Sequence, residues 1–148
     1  MKYKLCNIKG MKHANLGQLD AAIIYYEKAL SIQPDYVEAH YNLGSANHKL
    51  EQLDLAVKSY KKVVAIKPEY ALTHKNKILS VIYFFSKGLI PDAIDALMTL
   101  IKDSPNDALL FNMTGGCYAS QGKTDLAIKF YEKALILKPD YAIPQHML

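Results

Sequence analysis

Residues 18–44 read QLDAAIIYYEKALSIQPDYVEAHYNLG, and residues 123–142 read KTDLAIKFYEKALILKPDYA. The second stretch is nearly the first written again, so a repeat period has to be found before any local reading. Prolines set it. Pro34, Pro68, Pro105 and Pro139 follow one another at intervals of 34, 37 and 34 residues. Twelve residues before each stands an alanine: Ala22, Ala56, Ala93 and Ala127. Eight before stand Tyr26, Tyr60, Leu97 and Tyr131, and five before stand Ala29, Val63, Leu100 and Ala134.

With the proline taken as position 32, the unit ending at Pro139 carries Gly115, Tyr118, Gly122, Ala127, Tyr131 and Ala134 at positions 8, 11, 15, 20, 24 and 27. The first unit keeps Gly10, Gly17, Ala22, Tyr26 and Ala29 but has His13 at position 11. The second keeps Gly44, Ala56 and Tyr60, with Asn47 at 11 and Glu51 at 15. This pattern resembles the tetratricopeptide repeat, and four such units span nearly the whole chain. The resemblance implies an all-α fold, an α-α superhelix: a right-handed solenoid of antiparallel helix pairs, A then B. The repeats are expected at about 3–36, 37–70, 71–107 and 108–141, as one domain. Residues 142–148 are expected to form a capping helix or to start a further repeat.

Local signals agree with helix pairs. Gly17 breaks the first pair, and Asp20, Asp54 and Asp125 fall in the first turn of their B helices, where the positive dipole end favours an anion. Thr124 or Asp125 is expected to cap the last B helix. Asp54–Lys58 and Asp125–Lys129 are spaced for helical ion pairs. The prolines end the B helices because proline cannot continue them. Small residues at positions 8 and 20 let A and B approach closely, and no unit can bury its apolar face without a neighbour.

The third unit, KNKILSVIYFFSKGLIPDAIDALMTLIKDSP (75–105), departs from the pattern. Val81 replaces the glycine, Phe84 stands at 11 and Leu100 at 27, and three extra residues lie between Pro68 and Lys77. Pro91 falls in the first turn of the B helix, where proline fits.

Composition narrows the function. All 18 basic residues are lysine, and the net charge is +4. Arginine's planar fork is the usual reader of phosphate and guanine, so specific nucleic-acid binding is not expected. No apolar run is long enough to cross a membrane. The N-terminus lacks the apolar core of a signal peptide, which points to a cytoplasmic location. Cys6 and Cys117 fall in non-adjacent repeats, so a disulfide is not expected. No nucleotide, metal or thiol-redox motif is present. The chain is therefore read as non-enzymatic, with no cofactor and no metal. His13 and His40 occupy packing positions. The lysines between Lys49 and Lys77 read as a solvated face.

The family resemblance implies a protein-protein interaction scaffold that binds a peptide or partner segment along its A helices. The groove residues it implies are Asn7, Met11, Asn15, Glu38, Tyr41, Asn42, Ser45, Lys49, Lys75, Ile82, Phe85 and Asn112. One subgroup of the family grips C-terminal carboxylates of chaperones. At its five positions this chain has Asn7, Met11, Asn42, Lys75 and Leu79, of which two match, and that argues against such a clamp. Two alternatives stay open. The chain could be the substrate-presenting repeat region of a larger bacterial enzyme, a methyltransferase or glycosyltransferase. The tail ending His146–Met147–Leu148 resembles the junction to a methyltransferase domain. Or it could be a self-associating module, a homo-oligomer joined through its end faces.

Overall fold

The computed structural model describes residues 1–141. The expected capping helix, with Ile143, Pro144, Met147 and Leu148, lies outside the described residues, as does the stretch resembling a methyltransferase junction. The described residues are helical with no strand. They fall into two compact units, Met1–Tyr70 and a second beginning at Ala71.

The first unit holds α1 (Lys2–Asn15), α2 (Leu19–Ile32), α3 (Val37–Lys49) and α4 (Leu53–Ile66). Helices α1 and α2 pair, α3 and α4 pair, and α3 packs on both α2 and α1. Ala22, Tyr26 and Ala46 form a core cluster, with Ala14, Leu19, Ile23 and Leu43 packed around it. The second unit holds α6 (Ile78–Ser86), α7 (Ile90–Asp103), α8 (Ala108–Ser120) and α9 (Thr124–Leu137), each packed on the next. The one-turn helix α5 (Tyr70–Thr73) leads into it.

Every A-to-B turn is built the same way. Gly17, Gly88 and Gly122 adopt φ near +75°, and Glu51 occupies the same turn at +59°. Beyond each, an amide reaches back five residues: Gln18 N to His13 O at 2.9 Å, Gln52 N to Asn47 O at 2.9 Å, Leu89 N to Phe84 O at 2.8 Å and Lys123 N to Tyr118 O at 3.0 Å. These bonds satisfy carbonyls that the end of helix A leaves open. At the far end of each B helix the residue before proline has left the helical region, with φ from −132° to −141°. Proline forces that, because its ring clashes with a helical predecessor.

Two local expectations are corrected. Thr124 and Asp125 do not cap α9; the cap position is Lys123, which gives no side-chain bond. Side-chain capping of that kind occurs at α8, where Asp107 accepts from Leu109 N at 3.0 Å. Nor do Asp54–Lys58 and Asp125–Lys129 close into ion pairs, whereas Lys138 and Asp140 do, at 3.1 Å. Pro91 does sit in the first turn of α7.

The insertion acts on the third A helix. Where α1 runs 14 residues, α6 runs 9, because the helix is interrupted between Thr73 and Ile78. Side chains hold the interruption: Asn76 N donates to His74 Nδ1 at 3.1 Å, and Ile78 N donates to Asn76 Oδ1 at 3.0 Å. The Ser80 hydroxyl donates to the Ala71 carbonyl across the gap. Short polar side chains offer the backbone an alternative to helical bonds, and His74, Asn76 and Ser80 use it.

Helix-to-helix distance is fixed by tyrosine on glycine. A Cβ on Gly10 would lie 2.5 Å from the Tyr26 ring, one on Gly44 2.7 Å from Tyr60, and one on Gly115 2.6 Å from Tyr131. In the third hairpin the same two positions hold Val81 and Leu97, both fully buried. Bulk has moved from helix B to helix A.

Two substitutions should therefore act in opposite directions. Gly44→Ala forces the buried Tyr60 ring to shift and should destabilise the fold by ~1–3 kcal/mol. Glu51→Gly removes a left-handed non-glycine residue and should stabilise by roughly 0.5–1 kcal/mol. Urea denaturation of the two variants checks both signs.

Candidate functional site

The face shared by α1 and α3 gathers most of the expected groove residues of the first unit. A recess of about 150 Å3 lies there, lined by Met11 and Asn15 from α1 and by Asn42, Ser45 and Lys49 from α3. Its floor comes from Ala14, Leu19, Tyr26 and Ala46. Met11 and Asn15 are exposed, as is Lys49, while Asn42 and Ser45 are half-buried. The A helices meet at a hydrogen bond: Asn42 Nδ2 donates to Asn7 Oδ1 at 3.0 Å. Asn7 is itself buried, and its amide lies 3.7 Å from the Met11 sulfur. Asn7 thus orients Asn42 and stays beneath the surface.

Glu38 and Tyr41 sit further along α3. Tyr70 donates from its hydroxyl to Glu38 Oε1 at 3.4 Å. The Tyr41 ring lies 5.8 Å from that of Tyr60, which ties it to the packed hairpin. Burial raises the Tyr36 hydroxyl pKa, and Glu38 and Tyr3 nearby add to the rise while a bond to Asn7 opposes it.

In the second unit the remaining four residues are not gathered in this way. Lys75 is exposed in the interruption before α6, and Phe85 is half-buried near the end of α6. Ile82 and Asn112 are 5% and 1% exposed, so they belong to the interior. The sequence reading also passed over Ile8, which is 59% exposed and occupies in α1 the register that Asn42 occupies in α3.

His13 and His40 have structural partners. His13 Nδ1 donates to Gln18 Oε1 at 2.6 Å, and its ring stacks on Tyr25 at 5.2 Å. His40 Nε2 donates to the Pro34 carbonyl at 2.7 Å, which tethers α3 to the preceding turn. Burial lowers the His74 pKa, with Lys75 and Lys77 adding to it. Both cysteines are free thiols. No group of side chains suited to a metal ion occurs among the described residues, and no helix among them is long and apolar enough to cross a membrane.

Comparison with known proteins agrees with this architecture. A family model described as TPR repeat matches residues 12–51, and two described as Tetratricopeptide repeat match 37–70 and 80–142. The chain belongs to the tetratricopeptide repeat family. Among curated relatives it is similar to the peroxisomal targeting signal receptor of Kluyveromyces lactis, 32% identical over 65 residues, 44% of this chain and 12% of that protein. The receptor of Saccharomyces cerevisiae is 30% identical over 67 residues, 45% of this chain and 11% of that protein. The matched segment is thus about a tenth of each of those proteins. Among solved structures, a crystal structure of MamA aligns over 93% of this chain and 78% of its own, at 25% identity and a TM-score of 0.50. These repeats are protein-interaction modules in general, so the α1–α3 face is the candidate site.

The two thiols should differ in reactivity. Burial pushes the Cys117 pKa up to about 12, and the residue is fully buried, whereas Cys6 is half-buried. With an aromatic disulfide reagent at pH 8, Cys6 should react in the native protein and Cys117 only after denaturation. Because the folded state raises the Cys117 pKa from 9.0, its contribution to stability is complete below pH 9 and is lost as pH rises toward about 12. A series of alkaline thermal melts should show that fall.

Proposed function

We propose that this chain is a non-catalytic interaction scaffold that holds an extended segment of a partner protein along the α1–α3 groove. The observation that carries this reading is the recess that brings Met11, Asn15, Asn42, Ser45 and Lys49 together. Asn42 spends one amide hydrogen on Asn7, which leaves a second hydrogen and its own oxygen directed by that bond. An amide so held can pair with the N–H and C=O of a bound backbone without reading its sequence. Met11 adds an adaptable apolar contact, and Lys49 a cation at the edge. Similarity to a receptor named for a targeting signal supports recognition of a short segment. Asn7 supports this groove from beneath, and Glu38 and Tyr41 lie nearer the start of α3. Lys75, Ile82, Phe85 and Asn112 belong to the second unit and are not part of it, Ile82 and Asn112 being buried there.

Random peptides displayed on phage, panned against the protein, test the reading. Selected peptides should lose roughly tenfold in affinity on Asn42→Ala and less on Lys49→Ala, because hot-spot contacts dominate such interfaces. Peptides that bind equally well to Asn42→Ala, Met11→Ala and Lys49→Ala variants would place the site elsewhere.

A second reading, self-association, is favoured by α9. Ile128 and Leu135 are 47% and 38% exposed there, although they occupy the register in which Ile23 and Leu30 of α2 face α3. A further A-type helix, from a second copy, fits that stripe. Sedimentation velocity should show concentration-dependent growth that Ile128→Lys abolishes, and a monomer at all concentrations would rule this reading out.

A further inference from the structure

Away from the α1–α3 groove, a second recess lies between α2 and α4 with α3 as its floor. At about 250 Å3 it is larger than the recess of about 150 Å3 on the other face. Its apolar surface comes from Ile23 and Leu30 of α2, Leu43 of α3 and Leu55 of α4. Leu55 is 50% exposed, so this surface is open to solvent. Lys58 and Lys62 line the same recess one helical turn apart, and both are exposed. Neither makes a hydrogen bond or ion pair among the described residues, although Asp54 is one turn from Lys58 and Glu27 lines the facing wall. Like charges spaced four apart on a helix repel. Folding therefore sets two uncompensated cations at one edge of an aliphatic recess.

We propose that this recess docks an acidic–aliphatic segment of a partner protein. An aliphatic side chain enters between Leu30 and Leu55, and carboxylates beside it pair with Lys58 and Lys62. Charge complementarity selects this occupant, and the chain's net charge of +4 favours its approach. Glu27 on the opposite wall repels anionic groups there, so the acidic residues belong on one edge only, which a nucleic acid or an anionic membrane cannot satisfy. The lining also holds no Phe, Tyr or Trp on which bases stack. This goes beyond the α1–α3 groove, since the residues of the two recesses are different.

The test uses an end-capped, fluorescein-labelled peptide with one leucine flanked by glutamates, titrated to millimolar protein and read by anisotropy. The wild-type chain should bind it, and the double variant K58E/K62E should bind at least about tenfold more weakly, since opposed like charges replace attraction. Leu55→Ala should weaken it as well, and because all three side chains are exposed these variants should keep their helical circular dichroism. Replacing the peptide's leucine by glycine, or its glutamates by lysines, should abolish binding. Asn42→Ala/Lys49→Ala should leave the affinity within about twofold, whether or not that groove binds ligands of its own. The proposal is overturned if wild type shows no binding, if K58E/K62E binds equally, if the glycine peptide binds as well, or if the Asn42→Ala/Lys49→Ala variant alone loses the peptide.

Discussion

The seating of a tyrosine ring on a glycine governs the rest of this molecule. Gly10, Gly44 and Gly115 leave no room for a methyl group against Tyr26, Tyr60 and Tyr131. The rings of Tyr26 and Tyr60 are almost wholly buried, so they cannot swing aside to admit one. Each contact locks helices A and B of a hairpin at one separation. In the first unit that separation sets where α3 lies against α1 and α2. The recess beside Tyr26 and the recess beside Ser59 are both consequences of it. Val81 with Leu97 solves the same problem with the volumes exchanged, which keeps both side chains fully buried without the glycine.

Much of this was legible because the repeat fixes residue types by position. Prolines marked the ends of the B helices, and Gly17 and Gly122 marked turns that need a positive φ. What a position number does not convey is how the turn assigns the next residue. The left-handed residue commits its successor to the cap position, so Gln18, Gln52, Leu89 and Lys123 stand there. None has a short side-chain oxygen, and Thr124 arrives one residue too late. The interruption before α6 was hidden for a different reason. The extra residues could have lengthened a loop, but His74, Asn76 and Ser80 are able to bond the backbone and so divide a helix instead.

The candidate site was legible as a face and not as a depth. Register put Asn7, Met11 and Asn42 on the A-helix side, and the structure places them there. Depth depends on what packs next to each residue, which a single unit's sequence does not contain. Asn7 and Asn112 stand at the same repeat position as Tyr41; the asparagines are buried and the tyrosine is half-buried. The Asn7–Asn42 bond joins different positions of neighbouring repeats, so it appears only once the rotation between them is known. The lysines of α4 posed the converse problem. Their spacing was visible, but their place on a B helix made them read as an ordinary solvated face, because one unit's sequence does not show that Leu30 of the neighbouring helix lines a recess with them.

Helix α3 is shared by both recesses. It gives Asn42, Ser45 and Ala46 to one and His40, Leu43 and Asn47 to the other. Coupling between two such sites requires an element with two discrete arrangements that both ligands bias. Helix α3 has one. Gly44 is clamped on Tyr60, and His40 is tied to the Pro34 carbonyl. A ligand on either face meets a helix that cannot slide or turn without breaking these contacts together. The same packing that builds the two surfaces therefore restrains the helix they share.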